Sequence, residues 1–186
     1  MAPRLLEPIL AQVERMDRTI RRIRPIQAGA VLGIERHRHR GEPVTLRDGT
    51  VVRAGDRADI LHFDNRRVRE IAEAGWQLEG LRLCRADLRV LAARIAREPQ
   101  FDPPLAYCGA SVVSGLALRI GFERRPRRRT WWSALENWYS RTVMARWAPD
   151  GRARIRQGRG PLEVGEVWIS VRELLRRYGP EADTGQ

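Results

Sequence analysis

The sequence predicts an α/β or α+β fold: a single domain with a mixed β-sheet that contains a hairpin and is flanked by helices. Three observations carry this expectation. Segments with apolar residues at 3–4 spacing are interleaved with short β-prone runs, the order that builds mixed layers. Asp48-Gly49 sits between two β-prone runs and signals a hairpin, with a type I′ turn expected because both central residues would take positive φ. Ile60-Leu61-His62-Phe63 is apolar on both faces except for one imidazole, as in a strand buried in a sheet.

The elements follow in order. Leu5, Leu6, Ile9, Leu10, Val13, Met16, Ile20 and Ile23 form the apolar stripe of a helix over 4–24, closed by Pro25. Residues 30–40 alternate as a strand, and the hairpin occupies about 44–53, before the buried strand at 58–63. Asp64 or Asn65 caps a helix that runs to Ala74, where Gly75 supplies the stop. A second helix spans 78–97 with Leu81, Cys84, Leu88, Leu91 and Ile95 facing the core. After the loop marked by Pro99, Pro103 and Pro104, a strand at 105–108 leads into a small-residue helix, 111–120, stopped by Gly121. Phe122 opens an extended segment, and Arg124–Arg129 is a surface loop before a Trp-rich helix at 131–147. Strands at 152–156 and 166–169 precede Ser170-Val171-Arg172-Glu173. This capping box starts a last helix, which ends at Tyr178-Gly179-Pro180.

The chain has 186 residues, 42% of them hydrophobic and 31% charged, which suits one soluble globular domain. The expected division is an amphipathic helix (1–25) packed on the domain proper (26–180), with a disordered tail (181–186). No apolar run reaches transmembrane length and the start lacks a signal-peptide pattern. The expectation is therefore a cytoplasmic protein, with peripheral contact at the inner membrane face left open. Cys84 and Cys108 form no metal-type spacing and read as reduced thiols. The net charge is +12, and all 35 basic residues are arginine, a side chain suited to carboxylate and phosphate contacts. Such a balance favours an anionic partner: nucleic acid, lipid head groups or a phosphorylated sugar.

The candidate site centres on His62, the one titratable group set against the expected core. Asp56 is its candidate orienter, making His62 and Asp56 the acid/base pair of a catalytic reading. Asp64, Asn65, Arg66 and Arg67 stand at the start of a helix, where first-turn amides and the dipole favour an anionic ligand. Against this, Asp64 and Asn65 can equally serve as caps, with His62 bonded to backbone or to Asp56. Glu35, His37 and His39 have ligand chemistry, but the alternating arginines beside them would repel a cation, and no metal is expected. Cys108, at a strand-to-helix turn of small residues, is a nucleophile only if His62 and Asn65 converge on it. The Trp-rich helix reads as core packing before base stacking or a head-group belt.

Several segments together resemble the YkoP-like domain family. They are Leu46-Arg47-Asp48-Gly49-Thr50, Gly55-Asp56, Leu61-His62-Phe63-Asp64-Asn65, Leu118-Arg119-Ile120-Gly121-Phe122, and the run from Glu166 to Gly179. That family occurs alone and appended to polysaccharide deacetylases, so the resemblance implies a role in bacterial cell-envelope polysaccharide metabolism. The metal-binding motifs of the deacetylases are absent from the chain, which would correspond to the appendage without the enzyme.

Three functions stay open at this stage. One is an accessory or ligand-binding module taking an anionic or carbohydrate-linked small molecule near His62, with a polysaccharide deacetylase or other envelope enzyme as partner. The second is an enzyme using His62 as acid/base. The third is a basic peripheral module on anionic lipid or nucleic acid, the latter disfavoured because no nucleic-acid-binding signature appears. No cofactor is expected.

Overall fold

The computed structural model describes residues 19–111, 114–125 and 165–182. Most of the helix expected at 4–24, the Trp-rich helix, the strand at 152–156 and most of the tail lie outside the described residues. Thr19–Ile20 are helical, but the helix stops short of Arg24, because Arg22 turns the chain at φ 51° and Arg24–Pro25 form a strand.

Eight strands are described: β1 (Arg24–Pro25), β2 (Leu32–Glu35), β3 (Val44–Thr45), β4 (Val51–Val52), β5 (Ala58–Phe63), β6 (Ala106–Ser111), β7 (Glu123–Arg125) and β8 (Gly165–Ser170). The helices are α1 (Asn65–Arg97), α2 (Ser114–Arg119) and α3 (Val171–Tyr178). Six strands form one mixed sheet in the order β1-β2-β5-β6-β8-β7, and β3 pairs with β4 separately. Only β5 and β6 are parallel, with Ile60 opposite Cys108; the crossover between them is α1. The fold is the expected mixed α/β arrangement.

Alternation along the strands assigns the two faces. Val167 and Ile169 of β8, and Tyr107 of β6, join Cys84, Leu88, Leu91 and Leu174 in the larger core beneath the helices. Their neighbours Trp168, Ala106 and Cys108 point the other way, against Leu46 and Val52 of the β3–β4 hairpin. Helices thus cover one face and a short hairpin part of the other.

Several expected elements change. Gly75 does not end a helix: α1 continues through it for 33 residues. A glycine inside a helix costs about 1 kcal/mol, which the packing of Cys84, Leu88 and Leu91 offsets. The hairpin turn is not type I′. Gly49 has φ +84°, while Arg22 is the only non-glycine with positive φ among the described residues, so Asp48 is in an ordinary conformation. Gly49 donates to the Leu46 carbonyl (2.9 Å) and Leu46 to the Thr50 carbonyl (2.8 Å), a type I turn closed by a left-handed glycine. The Asp48 side chain selects this form by accepting from the Thr50 amide (3.0 Å) and hydroxyl (3.1 Å). The strand expected over 30–40 shortens to Leu32–Glu35, because beyond it only Arg38 bridges to Arg57. β6 runs on to Ser111, where a helix was expected to start, and Arg124 and Arg125 belong to β7 rather than to a loop.

A buried carboxylate ties the two layers together. Asp87, in the C-terminal half of α1, accepts from the amides of Val31 (2.8 Å) and Leu32 (3.0 Å) and from Gln27 Nε2 (2.9 Å). Val31 and Leu32 are buried, so without Asp87 their amides lose these acceptors in an apolar setting. Asp87→Ala should lower unfolding stability by about 3 kcal/mol in a denaturant titration, with Asp87→Asn less damaging because one acceptor oxygen remains. A loss under about 1 kcal/mol would show that the contact is dispensable.

Candidate functional site

His62 lies in β5 opposite Gly33 of β2. It shares a face with Ala58 and Ile60, the hairpin side of the sheet, while Leu61 and Phe63 turn into the helical core. Gly33 has no side chain because Ile23 fills that space: a Cβ there would stand 2.7 Å from Ile23 Cγ2. The imidazole is therefore flanked on one side by the chain entering β1, and its side chain keeps 25% of its surface exposed.

Its partner is Glu35. Nε2 of His62 stands 2.7 Å from Glu35 Oε2, a diagonal cross-strand contact between β2 and β5. When the carboxylate is ionised it can only accept, and the contact then uses the tautomer with the proton on Nε2. Arg21 Nη1 approaches the same oxygen at 3.6 Å. The result is a half-buried imidazole–carboxylate pair with an arginine beside it.

Asp56 is not the orienter that the sequence led us to expect. It stands six residues before His62, about 20 Å along extended chain. Its carboxylate accepts from the Arg53 amide (2.7 Å) and its carbonyl from the His39 amide (2.8 Å), closing the turn at Gly55. The sequence sets Glu35 beside His37 and His39; the pairing of β2 with β5 brings it to His62. The His37 amide donates to Asp59, and His39 bonds the Glu42 carbonyl while its ring meets Trp168 edge-on at 5.6 Å. Among the described residues, no group of three His, Cys, Asp or Glu side chains is placed to hold a metal ion.

At the start of α1 the chain supplies its own anion. Asp64 is the N-cap, and its Oδ1 accepts from the amides of Arg66 (3.0 Å) and Arg67 (3.2 Å). Asn65 is the first helical residue. Arg67 donates to Glu70 (2.8 Å) and to the Gly29 carbonyl (3.3 Å), and Arg66 approaches Glu70 at 3.8 Å. Two amides that an external phosphate would need are thus engaged by Asp64. An apolar cavity of about 30 Å³, lined by Leu61, Phe63, Gly109, Ala117 and Ile120, lies behind the strand from His62. It is about a tenth of an ordinary ligand pocket. The imidazole does not open onto it.

Cys108 is opposite Ile60, two positions along from His62. Burial, helped by the charges of Glu166, Asp59 and Glu35, pushes its thiol up to about 12, and burial does the same to Cys84. Both stay protonated at neutral pH, which removes the nucleophile reading. Native protein should therefore react with neither a maleimide nor iodoacetamide until denaturant is added; fast labelling of the folded chain would contradict the burial.

A second polar cluster went unnoticed in the sequence because its members lie 122 residues apart. Ser170 Oγ donates to Asp48 Oδ2 (2.6 Å) while accepting from the Glu173 amide (2.8 Å), so the α3 cap is also the anchor of the hairpin turn. Arg172 reaches both Asp48 (3.2 Å) and Thr50 (3.1 Å). The capping box is half-formed: Glu173 binds Arg176 and Arg177 instead of returning to the Ser170 amide. Burial opposes the ionisation of Asp48, but hydrogen bonds from Ser170 and Thr50 and the charge of Arg172 outweigh it and hold the carboxyl below its usual range. The hydrogen bond from Arg176, against burial and with help from Arg177, holds Glu173 down to about 2.

Both carboxyls are more acidic folded than unfolded, so their stabilisation is present above the unfolded values of 3.8 and 4.5 and is lost as pH falls toward about 2. Unfolding free energy should fall across that window, and Asp48→Asn should flatten the acid limb. An unchanged slope in the variant would show that Asp48 gains nothing from the cluster.

A family model described as the YkoP domain matches residues 4–178. No curated protein and no solved structure matches the chain.

Proposed function

This chain belongs to the YkoP domain family, and from that premise we propose that it is an accessory, ligand-binding module of bacterial cell-envelope polysaccharide metabolism. Its ligand contacts the His62–Glu35 pair. The observation that carries this reading is the 2.7 Å contact between Nε2 and Oε2 on the partly exposed, hairpin side of the sheet. A protein that needs only a folded sheet gains little from an imidazole and a carboxylate there, since desolvating both groups of a half-buried pair offsets much of their attraction.

Glu35 also selects the class of ligand. A bare anion would meet the carboxylate, whereas sugar hydroxyls donate to it, so a carbohydrate-linked molecule fits better than a free phosphate. Arg66 and Arg67, exposed or half-exposed at the neighbouring helix start, are available for a charged group further along such a molecule. The working partner in this reading is an envelope enzyme such as a polysaccharide deacetylase, and the setting is the cytoplasm. No helix among the described residues is long and apolar enough to cross a membrane.

The same pairing favours one alternative. A carboxylate that orients an imidazole is the arrangement of a general acid/base, with Glu35 in the role first expected of Asp56. Turnover of a bound sugar conjugate would establish it; binding without turnover leaves the module.

Melting of the full chain against a panel of nucleotide sugars, sugar phosphates and short cell-wall oligosaccharides tests the proposal. A stabilising member should lose at least ~10-fold in affinity with His62→Gln and with Glu35→Gln. Each variant should remain folded without ligand, as its thermal melt checks, because the amide keeps a hydrogen-bonding group in the half-buried position. A ligand that stabilises both variants as well as the parent, or a panel with no stabilising member, would overturn it.

A further inference from the structure

We propose that the outer surface of the helical layer docks on an anionic phospholipid bilayer, leaving the His62 face turned away from the membrane. This goes beyond the ligand-binding reading and rests on different residues.

Three elements converge at Tyr178. Its hydroxyl donates to the Ile120 carbonyl at 3.0 Å, which brings the end of α3 against the end of α2. Arg85 of α1, and Arg89 one turn further along, lie close enough to Tyr178 to act on it by charge. Arg177 lies against Gly121: a Cβ there would stand 2.5 Å from Arg177 Cδ, so the glycine that ends α2 also makes room for the arginine stem. Exposed Arg85, Arg89, Arg119, Arg176 and Arg177 therefore share one surface.

Among the described residues, the acids on α3 and just beyond it are Glu173 and Glu181. Glu173 binds Arg176 and Arg177. Among the described residues, these five arginines against two glutamates leave an excess of three positive charges, and Arg89 and Arg119 have no carboxylate contact. Beside them stands Leu118, 44% exposed and one of three large exposed apolar side chains among the described residues.

An isolated basic patch fits many anions; the leucine narrows the choice. Arginine at the head-group level and an aliphatic side chain reaching the acyl boundary are together the pattern of an interfacial surface. Single-stranded nucleic acid would instead need aromatic faces to stack on. The aromatic residue here, Tyr178, is half-buried with its hydroxyl already engaged. Helices occupy one face of the sheet and His62 the other, so docking through the helices leaves the His62–Glu35 pair accessible.

Co-sedimentation of the full chain with phosphatidylcholine vesicles, with and without phosphatidylglycerol, tests the surface. Binding should require phosphatidylglycerol and weaken with salt. It should fall at least ~10-fold in Arg85→Glu/Arg89→Glu, since each arginine near such a surface counts and the reversal adds repulsion. Leu118→Ser should weaken it with the charge unchanged, and Arg36→Glu/Arg40→Glu, a charge-matched reversal outside the helical layer, should bind like the parent. Circular dichroism melts check that each variant is folded. No phosphatidylglycerol-dependent binding, or equal losses from the two double reversals, would overturn the proposal, the latter exposing a general attraction of a +12 chain. Oligonucleotide binding lost in the Arg85/Arg89 variant while vesicle binding persists would assign the surface to nucleic acid instead. None of these outcomes depends on the sugar-conjugate panel.

Discussion

The carboxylate of Asp87 sets the geometry from which the rest follows. It stands in the C-terminal half of a 33-residue helix and accepts two consecutive amides, Val31 and Leu32, at the entrance to β2. One acceptor group on two neighbouring donors fixes both the position and the rotation of the entering strand. β2 then meets β5 with Gly33 opposite His62, and Glu35 falls two positions on, on the imidazole's face. A slip of one residue would turn Glu35 to the helical side and leave His62 without its carboxylate. A contact buried beneath the sheet thus determines which polar pair appears on the other face.

The hairpin is held by a different device. Its own two strands are only two residues long, too short to be stable alone. Leu46 and Val52 pack on Trp168 and Cys108, and Asp48 fastens the turn to Ser170. The same serine caps α3, so hairpin, β8 and α3 are coupled through one hydroxyl. The resemblance had set Leu46–Thr50 and the run after Glu166 side by side as unconnected motifs. In the folded chain they form one structural junction, which accounts for those residue types without a ligand.

The two faces of the sheet divide the chemistry. The helical side carries the arginines around Tyr178 and the larger apolar core; the hairpin side carries His62 and Glu35. Cys108 and Trp168 lie between as packing, and the thiol is kept protonated by the same burial that makes it useful there. Ligand recognition on one face and surface attachment on the other need not compete, because the sheet separates them.

Local physics was enough for much of this. The apolar stripe of Cys84, Leu88 and Leu91, the glycine after Asp48, the strand through Ile60–Phe63 (half-buried rather than buried) and the caps at Asp64 and Ser170 are properties of short segments, where side-chain periodicity and backbone preference act within a few residues. The family followed from the order of such segments. What required the folded chain was every relation between distant ones: Glu35 rather than Asp56 beside His62, Asp48 on Ser170, Asp87 under Val31 and Leu32, and helix continuing through Gly75. Those outcomes depend on strand pairing and on which buried donors need an acceptor. Both are decided by the whole core at once, at sequence separations where no local pattern carries the information.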